Sequence, residues 1–485
     1  MFGAHLAHRS LPPGPNTPAA IQLWQWLTDG RAFYSAGHQR WGDVFTIRPL
    51  GCRPTVCFAT PRAAQQILAA PTEVLGHGNE VAAIAVGQHS VILANGTAHK
   101  AARKRLRPFF QRKKIEALSP LMIEAIDESI ATMPARVPMN FTPVARELTL
   151  HVICRALFGM DRVSAHESLF DDLALLAENA QSPASLVSGA ILPTQLLSGW
   201  VRGQGLHRRR DRGAARIAGM FPVVQSIRHI GEVLLAQLER RRETLDDGGE
   251  DLLAQILRRA GSDLDDRLFL DDLITLLLAG HDTTAVTLSW LIQHLTRHPT
   301  TMAVLQAEID AQLDGRAPRA DDLARLPYLD AVVTESMRLE PIVPAIARVA
   351  LQDTEIDGVP IPRGVGINPL VRPLLHHDWP DPSVFNPGRW ADRKPRPQDR
   401  LAFGGGYRRC VGMGFALLEI KLTLIRLLQR TDIALGTDEP LRPAPSGAII
   451  SPAGGAPMVV LSTRSTQPAP IFPGVDTHPA MKCPA

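Results

Sequence analysis

The sequence predicts a mainly α protein with a smaller β-rich side. Apolar residues recur at helical spacing in many segments, and one helical pattern runs unbroken from Leu268 to Arg297. Strand-like runs are fewer, the clearest being Asp43–Ile47 and Thr55–Phe58, joined by a turn through Gly51. At 485 residues the length allows about three domains. No composition shift or long linker divides the chain, so a single large core over residues 19–461 is expected, with a proline-rich lead-in over 1–18 and a disordered tail over 462–485.

Composition narrows the classes of function. Hydrophobic residues make up 45% and charged residues 21%, which is ordinary for a globular protein. Five scattered cysteines are too few for a disulfide framework, and this argues for a reducing compartment. The N-terminus has no apolar run that could serve as a signal peptide or membrane anchor, so a cytoplasmic location is expected. A formal charge of +4 does not call for nucleic acid.

Taken in order, Leu11–Pro18 should lie extended, and Thr60-Pro61 should cap and start a helix. Residues 71–95 show no clean period and read as a loop region, in which Val81–Val86 is apolar enough to line a pocket. His99 and Arg103 then share a helical face and can grip a carboxylate together. Between Thr97 and Ile115 lie eight basic residues and no acidic one. This is either a solvated face or a docking face for an acidic protein or ligand.

A helix over Thr142–Gly159 is punctuated by Thr142 as N-cap, Pro143 at the first position and Gly159 as stop, with Cys154 as a packed hydrophobe. Residues 182–219 are irregular and specify no chemistry. The helix over Leu268–Arg297 spans roughly 45 Å, enough to cross the domain. Its apolar middle carries Ala279, Gly280, Asp282, Thr283 and Thr284. Buried hydroxyls there either bond back to the preceding turn or, beside a carboxylate and a small residue, relay protons to a ligand lying on the helix.

A helix over Tyr328–Leu339 holds Glu335 and Arg338 on one face, and Ile356-Asp-Gly-Val359 reads as a two-residue hairpin turn. Ile449, Ile450 and Pro452 read as the tip of a C-terminal hairpin. The stretch from Phe403 to Ala416 places Cys410 in a glycine-rich turn ahead of an amphipathic helix marked by Ala416, Ile420, Leu424 and Leu427. Free amides at that helix start and the nearby Arg408 should favour a thiolate, and Gly404, Gly405 and Gly406 let the backbone approach a flat ligand.

Phe403, Gly406, Arg408, Cys410 and Gly412 fill the pattern of the haem-binding loop of the cytochrome P-450 family, which this stretch resembles. Residues 279–284 resemble that family's oxygen-activation motif, with His281 at its variable position. Glu335 and Arg338 resemble its Glu-x-x-Arg pair, and Phe385–Trp390 resembles the segment whose arginine, here Arg389, completes a buried triad; Gly388 stands where a glutamate is usual.

The resemblance implies the family's fold, a helical prism enclosing haem b (iron protoporphyrin IX), with Cys410 as the iron ligand. It implies monooxygenation in which Asp282, Thr283 and Thr284 handle protons and Ala279 and Gly280 lie against the haem. Phe403, Gly404, Arg408 and Gly412 would form its cysteine-side bed, while His99, Arg103, Arg348 and Arg408 would hold its propionates. It also implies a lipophilic substrate, facing aliphatic walls at Val81–Val86, Ala279, Ile342–Ile346, Ile449 and Ile450. Only about two dozen residues follow residue 461, short of any further domain, so electrons are expected from a separate ferredoxin-type or flavodoxin-type donor with its reductase. The other readings are a same-fold enzyme doing peroxide-driven oxidation, desaturation or coupling, and a non-catalytic haem carrier or sensor.

Overall fold

The structure is a computed structural model that describes residues 11–78, 86–87, 89–160, 169, 172–173, 221–245, 251–260, 266–440, 442–446 and 449–464. The apolar stretch Val81–Ala85 expected to line a pocket, the irregular segment 182–219 and the tail beyond 464 lie outside these residues. From the N-terminus the described chain forms α1 (Ala19–Thr28), α2 (Gly30–Trp41), β1 (Val44–Ile47), β2 (Thr55–Phe58), α3 (Pro61–Ala69) and β3 (Leu75–His77). Next come α4 (Gly96–Leu106), α5 (Arg112–Ala117), α6 (Ser119–Ala131), β4 (Pro138–Asn140) and α7 (Phe141–Phe158). The middle of the chain supplies α8 (Phe221–Glu243), α9 (Leu252–Ala260), α10 (Asp266–Arg297), α11 (Pro299–Leu313) and α12 (Pro327–Leu339). Strands β5 (Arg348–Ala350), β6 (Thr354–Ile356), β7 (Val359–Ile361) and β8 (Gly366–Pro369) lead to α13 (Val371–His376) and α14 (Met413–Arg430). Strands β9 (Thr431–Leu435), β10 (Pro443–Ser446), β11 (Ile449–Pro452) and β12 (Pro457–Thr463) close the fold.

The helical part is built around α10. Its apolar residues, among them Leu273, Leu277, Leu288, Leu291 and Leu295, pack into one core with α6, α7 and α14. The β-rich side is a five-stranded sheet in the order β1-β2-β8-β5-β3, in which only β2 and β8 run parallel. Val56, Phe58, Ile67 and Ile367 form its own smaller core. Asp357 and Gly358, both with positive φ, make the two-residue turn joining β6 to β7. Thr60 accepts from the Ala63 amide, with Pro61 at the first helical position.

Four local expectations are corrected. The N-cap of α7 is Asn140, whose Oδ1 accepts from the Thr142 amide; Thr142 itself is buried and donates its hydroxyl to Ser289 Oγ on α10 at 3.0 Å. Tertiary packing took the threonine, so Asn140, two residues earlier, became the cap. Strand β3 lies within the presumed 71–95 loop, held to β5 by long-range pairing that a three-residue run does not advertise. Pro452 pairs with Pro443 at the base of its hairpin, away from the tip. Strand β12 continues through Thr463, paired with Thr431, so the described fold outlasts residue 461.

Candidate functional site

The cysteine loop is shaped by its glycines and by the end of α3. Gly404 and Gly406 have φ of +68° and +61°, a region that other residues rarely enter. A Cβ on Gly406 would come within 1.6 Å of the Leu68 carbonyl oxygen, so that position must be glycine for the loop to rest on α3. The Cys410 amide donates to the Phe403 carbonyl at 2.9 Å and closes the loop. The Cys410 residue is accessible although protein atoms surround it on most sides, the setting of a residue at the floor of a cleft.

The electrostatics of Cys410 differ from the sequence expectation. Burial pushes its thiol up, and the Gly412 and Met413 amides with the charges of Arg103 and Arg409 oppose that only in part. The thiolate is therefore a state that a bound metal would draw out by displacing the proton. The expected cation, Arg408, points elsewhere: its Nη2 donates to the Ala94 carbonyl at 2.8 Å and to Asn95 Oδ1 at 2.6 Å. Asn95 also accepts from the His77 amide, and nothing in its sequence context marked it as a site residue.

Arg408, His99, Arg103 and Arg348 nevertheless come together. Burial depresses the basicity of all four, and for His99 and Arg348 repulsion from neighbouring guanidiniums adds to it: His99 falls to about 4 and Arg348 to about 10. Arg103 Nη1 donates to the Arg409 carbonyl and Arg348 Nη1 to the Ala347 carbonyl. Among the described residues no carboxylate forms an ion pair with Arg103, Arg348 or Arg408, and Arg408 Nε is buried without a partner. Buried charge of one sign is costly, so this cluster suits an anionic ligand.

On α10, neighbouring positions divide by face. Ala279 is exposed in the middle of an otherwise buried helix, and Thr283, one turn on, is partly open, with its hydroxyl donating to the Ala279 carbonyl at 2.6 Å. Gly280 and Thr284 form the next stripe. A Cβ on Gly280 would lie 2.8 Å from Ile153 Cδ1, and Thr284 is buried with its hydroxyl on the Gly280 carbonyl. The small residue at 280 thus lets α7 approach, which corrects the expectation that it makes room for a ligand; Ala279 occupies the open side. Asp282 is held by α7, with Arg146 Nε donating to its Oδ1 at 2.8 Å. Arg146 carried no signal in the sequence. His281 is buried and neutral, its pKa lowered by burial to about 4.

Beneath the loop, Glu335 and Arg338 are fully buried and bonded in two places, at 2.8 and 2.9 Å. Arg389 Nε donates to Glu335 Oε1 at 3.2 Å and Trp390 Nε1 to Oε2 at 3.1 Å. The missing glutamate at Gly388 is answered by Asn386, whose Oδ1 accepts from the Gly388 amide while its own amide donates to Glu335. Ile449 and Ile450 pack with Val286, Trp290, Ile342 and Val343, so an indole, bonded to the Ile450 carbonyl, backs a wall expected to be purely aliphatic.

The basic stretch resolves residue by residue. Arg105 turns inward to the buried Asp272, with its Nε donating at 3.0 Å, and so leaves the expected docking face. Lys100 pairs with Glu73 and Arg112 with Glu116. Lys104, Arg107, Lys113 and Lys114 remain exposed, and no described carboxylate pairs with them.

A haem fits this arrangement on three counts: an accessible cysteine residue, an open small residue in mid-helix, and uncompensated buried cations for two carboxylates. Comparison with known proteins agrees. The family model described as Cytochrome P450 matches residues 12–186 and 219–456. A Mycobacterium tuberculosis (strain ATCC 25618 / H37Rv) protein named cytochrome P450 135B1 is 32% identical over 466 residues, covering 94% of this chain and 92% of its own. Two Streptomyces melanosporofaciens proteins are similar as well. Cyclooctat-9-en-7-ol 5-monooxygenase is 30% identical over 80% of this chain and 82% of its own, and cyclooctatin synthase is 29% identical over 83% and 86%. The conjunction of a cysteine loop, a buried Glu-x-x-Arg cluster and a family match over most of the chain has one consequence: the chain belongs to the cytochrome P450 family.

Proposed function

We propose that this monooxygenase binds haem b within a single domain that runs from residue 19 through the end of β12 at Thr463 and oxidises a lipophilic small molecule, by hydroxylation or epoxidation. The observation that carries the reading is the cluster of Arg103, Arg348 and Arg408 around His99 beside Cys410, three guanidiniums with which no described carboxylate forms an ion pair. His99, Arg103, Arg348 and Arg408 would bind the propionates, and Cys410 would bind the iron, between Ala279 and the bed of Phe403, Gly404 and Gly412. The haem supplies oxygen activation when bound.

The chain's own residues supply the rest. The Thr283 hydroxyl, already donating to Ala279, keeps its oxygen lone pairs free on the open side of α10 to accept a hydrogen bond. Asp282, tethered by Arg146, would exchange protons only when that ion pair opens, so Arg146 sets when the carboxylate is available. Ile449, Ile450, Val286 and Ile342 exclude water and favour an apolar substrate by burial. A relative named for its action on cyclooctat-9-en-7-ol supports such a substrate class.

Electrons would come from a separate acidic ferredoxin-type or flavodoxin-type carrier, drawn by Lys104, Arg107, Lys113 and Lys114, in the cytoplasm. No described helix is long and apolar enough to cross a membrane. The test is the spectrum of the reduced, carbon-monoxide-bound protein. The wild type should show the red-shifted Soret band of thiolate ligation and Cys410→Ser should lose it; a band that survives the substitution would overturn the ligand assignment.

A further inference from the structure

Asp271, Thr275, Ala279 and Thr283 recur every four positions on α10 and so lie along one stripe of the helix. Ala279 and Thr283 form the open end of that stripe, whereas Asp271 and Thr275 are buried. What covers the buried end is Gly87 with residues 89–92. Gly87 has a φ of +78°, and a Cβ there would lie 2.2 Å from Asp271 Oδ1, so the backbone runs directly against that carboxylate. The His89 amide donates to Asp271 Oδ2 at 2.9 Å and the Val91 amide to Asp272 Oδ1 at 3.1 Å. Between them the hydroxyls of Ser90 and Thr275 meet at 2.7 Å. Thr275 donates its single proton to the Asp271 carbonyl at 2.6 Å, so Ser90 is the donor of the bond they share, and the Ser90 oxygen accepts in turn from the Ile92 amide at 3.2 Å.

We propose that Asp271, Asp272 and Thr275 are positioning residues that fix the end wall of the substrate site and so set how long an apolar ligand it takes. The inference rests on the reading of the open face of α10 as that site. At 1.5 Å per residue the pinned segment crosses the helix at Thr275, about 6 Å short of Ala279. Val86 and Leu93 pack with Leu278, the residue before Ala279, so the wall is apolar where it borders the open face. Its far side is held as firmly. Arg408 donates to the Ile92 carbonyl at 3.3 Å and to the Ala94 carbonyl at 2.8 Å, and Arg105, on α4, balances the fully buried Asp272 with its Nε at 3.0 Å. Moving the segment aside would strip two buried carboxylates of amide donors that water cannot replace, which is costly. A wall built this way meets a ligand as a stop, and a chain too long for the open stretch is refused.

The experiment titrates the full-length holoenzyme with 1-alkylimidazoles of increasing chain length, followed by the shift of the Soret band, with imidazole itself as the compact control. Each added methylene ordinarily tightens apolar binding about fourfold, and in the wild type that gain should stop at a defined length. Thr275→Val keeps the shape and removes the hydroxyl to which Ser90 donates, and Asp271→Ala removes the acceptor of the His89 amide. Both should move the stop to longer chains and tighten the first refused chain roughly tenfold or more, with imidazole affinity unchanged. Asp271→Asn keeps an oxygen for that amide and should restore the wild-type stop. Hydrogen exchange at residues 89–92 should quicken about tenfold in Thr275→Val and Asp271→Ala; this readout needs no iron, so it holds or fails independently of the assignment of Cys410. A stop at the same length in wild type and variants would overturn the proposal and leave the three residues as a brace of the fold. So would a wild type whose affinity keeps rising with every added methylene, or variants that weaken imidazole and the long chains alike.

Discussion

The Glu335–Arg338–Arg389 cluster and the His99–Arg103–Arg348–Arg408 cluster both take charged side chains out of water, but only the first contains a carboxylate. In the first, Glu335 is fully buried and accepts from Arg338, Arg389, Trp390 and the Asn386 amide. In the second, the available acceptors are backbone carbonyls and one asparagine; burial holds Arg408 down at about 10, and burial with repulsion from Arg408 holds Arg348 there too. A compensated cluster is complete and braces the fold. An uncompensated one has its partner still to come, which separates a scaffold from a binding site without reference to sequence motifs.

Glu335→Ala would leave Arg338 and Arg389 without their carboxylate in a dry site, at about 3–5 kcal/mol, and chemical denaturation of the apoprotein should show it. Wild-type stability in that variant would mean the cluster is not a scaffold. Arg348→Leu should act the other way. Removing an unpaired buried charge should leave the apoprotein as stable as before or more so, while the holoprotein loses about 1.5–3 kcal/mol of a charge-assisted contact. Haem transfer to an apoglobin acceptor should then run roughly 10- to 100-fold faster, the same loss converted at 1.4 kcal/mol per decade. Apoprotein that unfolds as Glu335→Ala does would erase the distinction.

Two buried histidines carry a smaller effect. Burial lowers His281 to about 4 and His294 to about 3, against 6.5 for an unperturbed histidine. Both therefore contribute stability that is fully present above pH 6.5 and is lost as pH falls, by up to about 1.4 kcal/mol per pH unit for each. His294→Gln should flatten the fall of stability between pH 6 and 4. An unchanged slope would show that His294 is already protonated in the fold. The smallest effect belongs to the surface: Lys104→Glu with Arg107→Glu should slow reduction by an acidic carrier roughly 3- to 10-fold at low salt, converging with wild type as salt is added. Rates that ignore both charge and salt would remove this face from electron transfer.

The sequence carried the fold class, the long helix, the cysteine loop and the Glu335–Arg338 pair, each of which rests on a short span of chain. It carried much less of how these parts are held. Asn140 displaced Thr142 as a cap because Ser289, 147 positions from Thr142, took the threonine hydroxyl. Arg105 left the basic face because Asp272, 167 positions away, lies buried beneath it. No periodicity in either segment encodes the other's direction.

What the sequence determined by itself was chemistry fixed by neighbours along the chain: a cysteine among glycines, a carboxylate beside two threonines, an acid and a base three residues apart on a helix. Only the tertiary structure decided which of these side chains would face the open side. On α10 a step of one residue turns the side chain by about 100°, enough to put Ala279 and Thr283 on the open face, Gly280 against α7 and Thr284 in the buried interior. Asp282 meets Arg146 because those two helices pack closely there, and packing between distant segments follows from shape and burial summed over the whole core, which no local stretch of sequence contains.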